Sequence, residues 1–321
     1  MATPYDSFAV PQVIADLVAA QVSQVSPFVN SGAAAVTSQP AFAGHMFQRA
    51  RWAEDNAHDV QIDGTAHDPV TLGMNSDFAP VLRRIRVRRT LDGTAAVTGL
   101  LSATEPNAEV IAQTANYWAR EIDDSLCAAL GGLYDGSSGC LRATHLKDIS
   151  VGSSTAAVPL SYGAVVKAAA LAGDAITQMS ILVCHSAQWA DLALEAGAKA
   201  NFITLGTQLV PMLGNLRVHI SDGVPTSGSG TYRKYDAFIV RPGALFVAMQ
   251  QGLVEFFAPV PSIGAWDLSQ TMHYAPGVTG CKYVDVGANP DNSTLATAAS
   301  WEKSGAIDKT IGIVAVRTNA T

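Results

Sequence analysis

Residues 106 to 133, PNAEVIAQTANYWAREIDDSLCAALGGL, hold the longest uninterrupted helical periodicity in the chain. Ile111, Ala115, Trp118, Ile122, Leu126, Ala129 and Leu133 recur at intervals of four, three, four, four, three and four, which places them on one face of an α-helix. Glu109, Gln113, Arg120, Glu121 and Asp124 fall on its other faces. Pro106 suits a first helical position, where its missing N–H leaves nothing unsatisfied, and Gly131-Gly132 with Asp135-Gly136 supplies the expected stop. At ~1.5 Å per residue, about 25 residues make a rod of roughly 37 Å. Such a rod is either a mechanical spine or an ordinary core helix. In both cases the rest of the chain is arranged around it.

A chain of 321 residues with 48% apolar content can bury a substantial core, in one large or two intertwined domains. A net charge of −7 and a pI near 5.4 argue against a dedicated nucleic-acid binder, whose affinity for phosphates comes from excess Lys and Arg. Arginines outnumber lysines thirteen to seven, which favours planar, bidentate pairing at interfaces. Cys127, Cys140, Cys184 and Cys281 lack CxxC spacing and read as reduced thiols of a cytosolic product. No basic segment leads into an apolar one at the N-terminus, and no window approaches the roughly 18 apolar residues of a membrane span. Neither secretion nor membrane insertion is expected.

The chain begins with a proline-punctuated arm. Residues 11 to 25 can form a short amphipathic helix, and the Ala/Ser/Gly tract SGAAAVTSQP follows. A segment so poor in periodic apolar surface makes no core of its own; it either lies across something else or frays. Residues 44 to 92 read as a long two-stranded excursion, with GHMFQRARWAED as one limb and PVLRRIRVRRTLD as the other. In the second limb Arg84, Arg86 and Arg88 alternate with Ile85 and Val87, a period of two that builds a basic ladder on one strand face. Adjacent arginines repel unless anions lie opposite. The first limb adds Arg49 and Arg51, and the acidic loop supplies Glu54, Asp55 and Asp63, so a neighbouring copy is one source of partners; phosphate binding and a merely solvated face are the others.

Beyond the rod the pattern alternates. Residues 161 to 174 suit a helix, 179 to 185 a buried strand, and 186 to 197 a helix capped by Ser186. Further strands are expected over 215 to 221, 235 to 250 and 310 to 318, with long extended segments over the last third. Catalytic signatures are missing: there is no GxSxG, P-loop, GxGxxG opening a helix, HExxH or paired cysteine cluster. Cys184 and His185 are adjacent on a strand and so point to opposite faces, which suits a buried structural cysteine better than a nucleophile pair. No catalytic residue, metal site or cofactor is expected.

The segment order, together with ANYWAREIDDSLCAALGG, CHSAQWADL and VHISDGVP followed by YDAFIVRPGALF, resembles the major capsid proteins of tailed phages, which share the Hong Kong 97-type fold. That resemblance implies an α+β protein with an arm (1 to 43), an extended loop over an adjacent subunit (44 to 82) and a peripheral domain (83 to 145 and 254 to 309) carrying the spine helix. An axial α/β domain (146 to 253) and a closing strand (310 to 321) complete it. It implies pentamers and hexamers forming an icosahedral shell around double-stranded DNA, assembled in the host cytoplasm and located in the virion capsid. A scaffolding protein, a portal and a decoration protein are the partners it implies. Arg49, Arg51, Arg84, Arg86, Arg88, Glu54, Asp55 and Asp63 would meet neighbouring subunits, while Ile111, Trp118, Ile122 and Leu126 would form the spine's core face. Two rivals stand beside this reading: an encapsulin-type nanocompartment shell, and an α/β ligand-binding enzyme built on residues 161 to 250.

Overall fold

A computed structural model describes residues 26–38, 44–52, 73–90, 106–136, 138–152, 157–195, 200–205, 208–260, 265–285, 287–305 and 308–320. A helical turn, α1 (Pro27–Asn30), leads into β1 (Ala34–Ser38), β2 (Met46–Trp52), β3 (Met74–Pro80) and β4 (Leu82–Thr90). The spine is α2 (Pro106–Tyr134), followed by α3 (Arg142–His145), β5 (Leu146–Asp148), α4 (Tyr162–Ala169) and a 3₁₀ segment, Ala170–Gln178. Then come β6 (Ile181–Cys184), α5 (Ser186–Glu195), β7 (Ala200–Leu205), β8 (Gln208–Leu213), β9 (Leu216–Ile220), β10 (Thr226–Ser227) and β11 (Lys234–Val240). The chain closes with β12 (Leu245–Val260), β13 (Ala265–Val278), β14 (Cys281–Tyr283), α6 (Asn292–Leu295), β15 (Trp301–Lys303) and β16 (Ile313–Asn319).

The spine's 29 residues give a rod of about 43 Å. Ala115, Trp118, Ile122, Leu126, Ala129 and Leu133 are all buried, as their spacing requires; the side chain of Ile111 lies outside the described residues. The two glycines do not stop the helix, which runs on to Tyr134. Gly132 serves close approach instead: a Cβ there would collide with the Leu295 carbonyl and the Trp301 ring. Trp301 Nε1 donates to that same carbonyl at 2.7 Å, so a glycine is what lets the α6–β15 segment sit on the spine.

Three sheets surround the rod. The long strands form the order β1-β12-β13-β4, the hairpin strands join β15-β14-β3-β2, and the α/β unit runs β5-β16-β11-β6-β9-β8-β7 with β10 alongside β11. In the last of these the central strands are buried on both faces. Ile181, Val183, Phe238, Val240, Ile313 and Ala315 join the core that contains the spine's Leu130, Leu133 and Tyr134. Leu182, Cys184, Ala237, Ile239, Val314 and Val316 join a second core with α4 and α5. Alternation along each strand thus welds one sheet into two hydrophobic layers.

One expectation needs correction. The second limb of the excursion is β3, not the arginine strand: Met46–Trp52 pairs antiparallel with Met74–Pro80, while β4 pairs with β13. The described part of the arm, residues 26–38, packs on its own subunit. Phe28 is fully buried in the main core, and β1 pairs in parallel with β12 from Ala34↔Leu245 to Ser38↔Met249. What it lies across is the chain's own sheet edge.

Candidate assembly surface

The arginine ladder is genuine, but its partners belong to the same chain. Gln113, Tyr117 and Glu121 recur every fourth residue on one face of α2, and β4 lies beneath that face. Arg88 Nη2 donates to Gln113 Oε1 at 2.7 Å, the Arg86 guanidinium sits 3.9 Å from the Tyr117 ring centroid, and Arg84 Nε meets Glu121 Oε1 at 3.1 Å. Arg84 Nη2 also donates to the Pro290 carbonyl at 3.1 Å. A helical period of four and a strand period of two both advance about 6 to 7 Å per match, so the three pairs come into register. Arg84, Arg86 and Arg88, expected to meet a neighbouring subunit, thus have contacts within their own chain.

The hairpin arginines behave alike. Arg49 Nη1 donates to Thr279 Oγ1 at 3.4 Å and its guanidinium lies over Phe246, 5.4 Å from the centroid. Arg51 Nε approaches Asp77 Oδ1 at 3.4 Å; Asp77 is fully buried and also accepts from Ser304 Oγ at 2.6 Å. Glu54, Asp55 and Asp63 lie outside the described residues.

With Arg84, Arg86 and Arg88 turned toward the spine, Ile85 and Val87 project from the opposite face of β4, which they share with the exposed Arg83. Ile85 is 68% exposed, Val87 65%, and Phe256 on β12 61%. The register puts them on one sheet face: Val87, Ser269 and Phe256 form one cross-strand row, and Ile85, Thr271 and Val254 form the next, with the polar Ser269 and Thr271 of β13 in between. At the outer end of the hairpin, Trp52 and Met74 are directly paired and are 65% and 60% exposed. Large apolar side chains grouped this way on a well-packed chain mark a contact surface. Sequence reasoning passed over these residues, although the alternation that exposed the ladder carried Ile85 and Val87 in the same stretch.

The arm's point of entry is fastened to the spine. Ser26 Oγ donates to Asp123 Oδ1 at 2.6 Å, and the Phe28 N–H donates to the same carboxyl. Asp123 is 5% exposed, and burial pushes its pKa up to about 7 despite those hydrogen bonds. A second buried polar link is the two-pronged pair of Arg317 with Asp236, Nε to Oδ1 at 2.6 Å and Nη2 to Oδ2 at 2.7 Å, joining the central strands β16 and β11.

The arrangement offers little for catalysis. Cys184 is fully buried, with its thiol pushed up to about 12 by loss of solvation, so it is a poor nucleophile. His185, not Ser186, caps α5: its Nδ1 accepts from the Ala187 N–H at 3.1 Å, while Asp222 Oδ1 accepts from the Ser186 N–H at 3.2 Å. Among the described residues no cluster of three His, Cys, Asp or Glu side chains could hold a metal, and no helix is long and apolar enough to cross a membrane.

Comparison with known proteins agrees with this geometry. The family model described as Gp13-like, major capsid protein 13-like, matches residues 18–314. The major capsid protein of Bacillus phage SPP1 is 25% identical over 308 residues, covering 92% of this chain and 91% of that protein. The head structure of Helicobacter pylori bacteriophage KHP40 aligns with a TM-score of 0.57 at 10% identity, over 92% of this chain and 91% of that one. The capsid of Ralstonia phage GP4 aligns at 0.54 and 13% identity, over 91% and 88%.

Proposed function

The chain belongs to the Gp13-like family of major capsid proteins, and from that premise we propose that its copies assemble as pentamers and hexamers into the closed head of a tailed phage around double-stranded DNA. It is a structural capsid protein and not an enzyme, with the α+β Hong Kong 97-type fold of tailed-phage capsids. Neither the encapsulin nor the α/β enzyme reading draws support from any of these matches.

The observation that carries the assembly reading is the exposure of Ile85, Val87 and Phe256 on one sheet face, opposite the face that meets the spine. A monomer gains nothing from it; a shell subunit buries it under a neighbour. The hairpin ending in Trp52 and Met74 is the complementary element, laid over the adjacent subunit's long strands. Because the two patches differ, the contact is head-to-tail, the kind that closes into rings. On this reading residues 146 to 253 converge at the ring centres, 83 to 145 and 254 to 309 form the periphery, and 44 to 82 form the overlapping loop. A scaffolding protein sets the curvature, a portal occupies one vertex, and a decoration protein reinforces the lattice. Head assembly takes place in the host cytoplasm. A net charge of −7 suits confinement of DNA by the lattice with few specific phosphate contacts.

The test is electron microscopy with light scattering of the wild type and of an Ile85→Glu/Val87→Glu double variant, each expressed alone and with a scaffolding protein. Closed particles from the wild type, and unassembled subunits with an unchanged melting temperature from the variant, are expected. Normal particles from the variant would remove this face from the lattice contact. A wild type that stays monomeric under both conditions would overturn the assembly reading.

A further inference from the structure

A surface cavity of about 450 Å³ lies between the end of β14 and the segment that links α6 to β15. Five of the seven residues lining it are polar: Asp285, Ser293, Thr294, Thr297 and Ser300. Its volume falls within the range of small-molecule sites, but those are lined mainly by apolar groups. This one suits a polar guest.

The hydroxyl protons decide what the walls present. Ser293 Oγ and Thr294 Oγ1 donate to Asp291 Oδ1 at 2.8 and 2.7 Å. Thr297 Oγ1 donates to the Ser293 carbonyl and Ser300 Oγ to the Thr294 carbonyl, both at 3.1 Å. A hydroxyl has one proton and two lone pairs, so each of the four keeps only acceptor capacity. Asp285 accepts the Gly287 N–H at 3.1 Å and, as a carboxylate, can accept further bonds. No lining side chain has a donor to spare, and no Lys, Arg or His lines the cavity. Two carboxylates keep the region negative. Thr294 and Ser293 hold the Asp291 pKa down to about 2, and burial together with Asp285 and Asp291 pushes the adjoining Tyr283 phenol up to about 12.

A guest that fits such walls brings donors and positive charge, as an ammonium does with three N–H groups and no acceptor. The chain carries ammonium groups without partners. Lys282, Lys303 and Lys309 pair with Glu302, Asp308 and Asp174, whereas Lys147, Lys167 and Lys234 form no ion pair among the described residues. None of these three lines the cavity of its own copy. We propose, resting on the shell reading above, that the cavity receives the ammonium of Lys147, Lys167 or Lys234 from a second copy of the chain. The several acceptors around Asp285 offset the loss of water from the ammonium, and the contact joins two different surfaces, as a head-to-tail shell contact does.

The experiment assembles particles from a mixture of ¹⁵N-labelled and unlabelled full-length subunits and treats them with a water-soluble carbodiimide, which couples a carboxylate only to an amine held against it. Mass spectrometry is expected to find the Asp285 peptide joined, with loss of one water, to a peptide carrying Lys147, Lys167 or Lys234, in mixed-isotope pairs. In Asp285→Asn, which keeps an oxygen for the Gly287 N–H, the joined peptide disappears. The concentration needed for assembly then rises about tenfold or more, with an unchanged melting temperature of the subunit. Closed particles without an Asp285–lysine peptide, joined peptides of single isotope only, or coupling to a lysine of another protein would each overturn this contact while leaving the assembly reading standing. So would an unchanged assembly concentration in Asp285→Asn. Failure of the wild type to form particles at all falls on the assembly reading and takes this contact with it.

Discussion

Asp123→Asn tests how the arm's entry is held, because the native carboxyl is buried at the one point where Ser26 meets the spine. The groups facing it are the Ser26 hydroxyl, the Phe28 N–H, the neighbouring Asp124 carboxylate, and Cys127. Burial lifts its pKa from the usual 3.8 to about 7. Below pH 4 both folded and unfolded chains carry the proton. Between about 4 and 7 the unfolded chain gives it up while the folded one keeps it, so stability falls as pH rises, at about 1.4 kcal/mol per pH unit. Above 7 both are ionised and the slope vanishes. Integrated over the window, the penalty is about 4 kcal/mol. Asn cannot ionise and keeps an oxygen for Ser26 and Phe28, so the variant escapes that slope. Urea unfolding of unassembled subunits at steps from pH 4 to 8.5 is the assay. The free-energy difference, variant minus wild type, should grow by about 4 kcal/mol up to pH 7 and then level off. Parallel curves would refute the buried, neutral carboxyl.

Other substitutions probe the remaining layers. Trp118→Ala removes a fully buried ring from the spine's core face and should cost about 3 to 5 kcal/mol in urea unfolding. Asp236→Ala leaves the Arg317 guanidinium in a buried site without its two-pronged partner; a loss of about 3 to 5 kcal/mol is expected, with Arg317→Ala as costly. A double-mutant cycle of Arg86→Ala and Tyr117→Leu should return a coupling of about 0.5 to 2 kcal/mol from the stacked pair. Zero coupling would refute a stabilising stack of Arg86 on Tyr117.

Much of the chain was legible before any coordinates. The spine was readable because a 3.6-residue period needs only local information, and the buried strands Ile181–Cys184 and Ile313–Asn319 announced themselves as short apolar runs. The hairpin's second strand was not, because MNSDFAP is polar and turn-like by composition. Its place depends on pairing with β2 and on Asp77 meeting Arg51 and Ser304. The cap of α5 was misread by one residue, since a histidine ring nitrogen took the role that sequence preference assigns to serine.

The arginine strand marks the boundary most clearly. The sequence alone determined that Arg84, Arg86 and Arg88 share one face and Ile85 and Val87 the other, because successive side chains on a strand must alternate. It could not determine which face turns inward. That was decided by a partner some 180 residues later, the Gln270↔Arg86 register with β13, and by a spine offering Gln113, Tyr117 and Glu121 at matching intervals. Only that tertiary arrangement gives Arg84, Arg86 and Arg88 their contacts on the spine and leaves Ile85 and Val87 exposed.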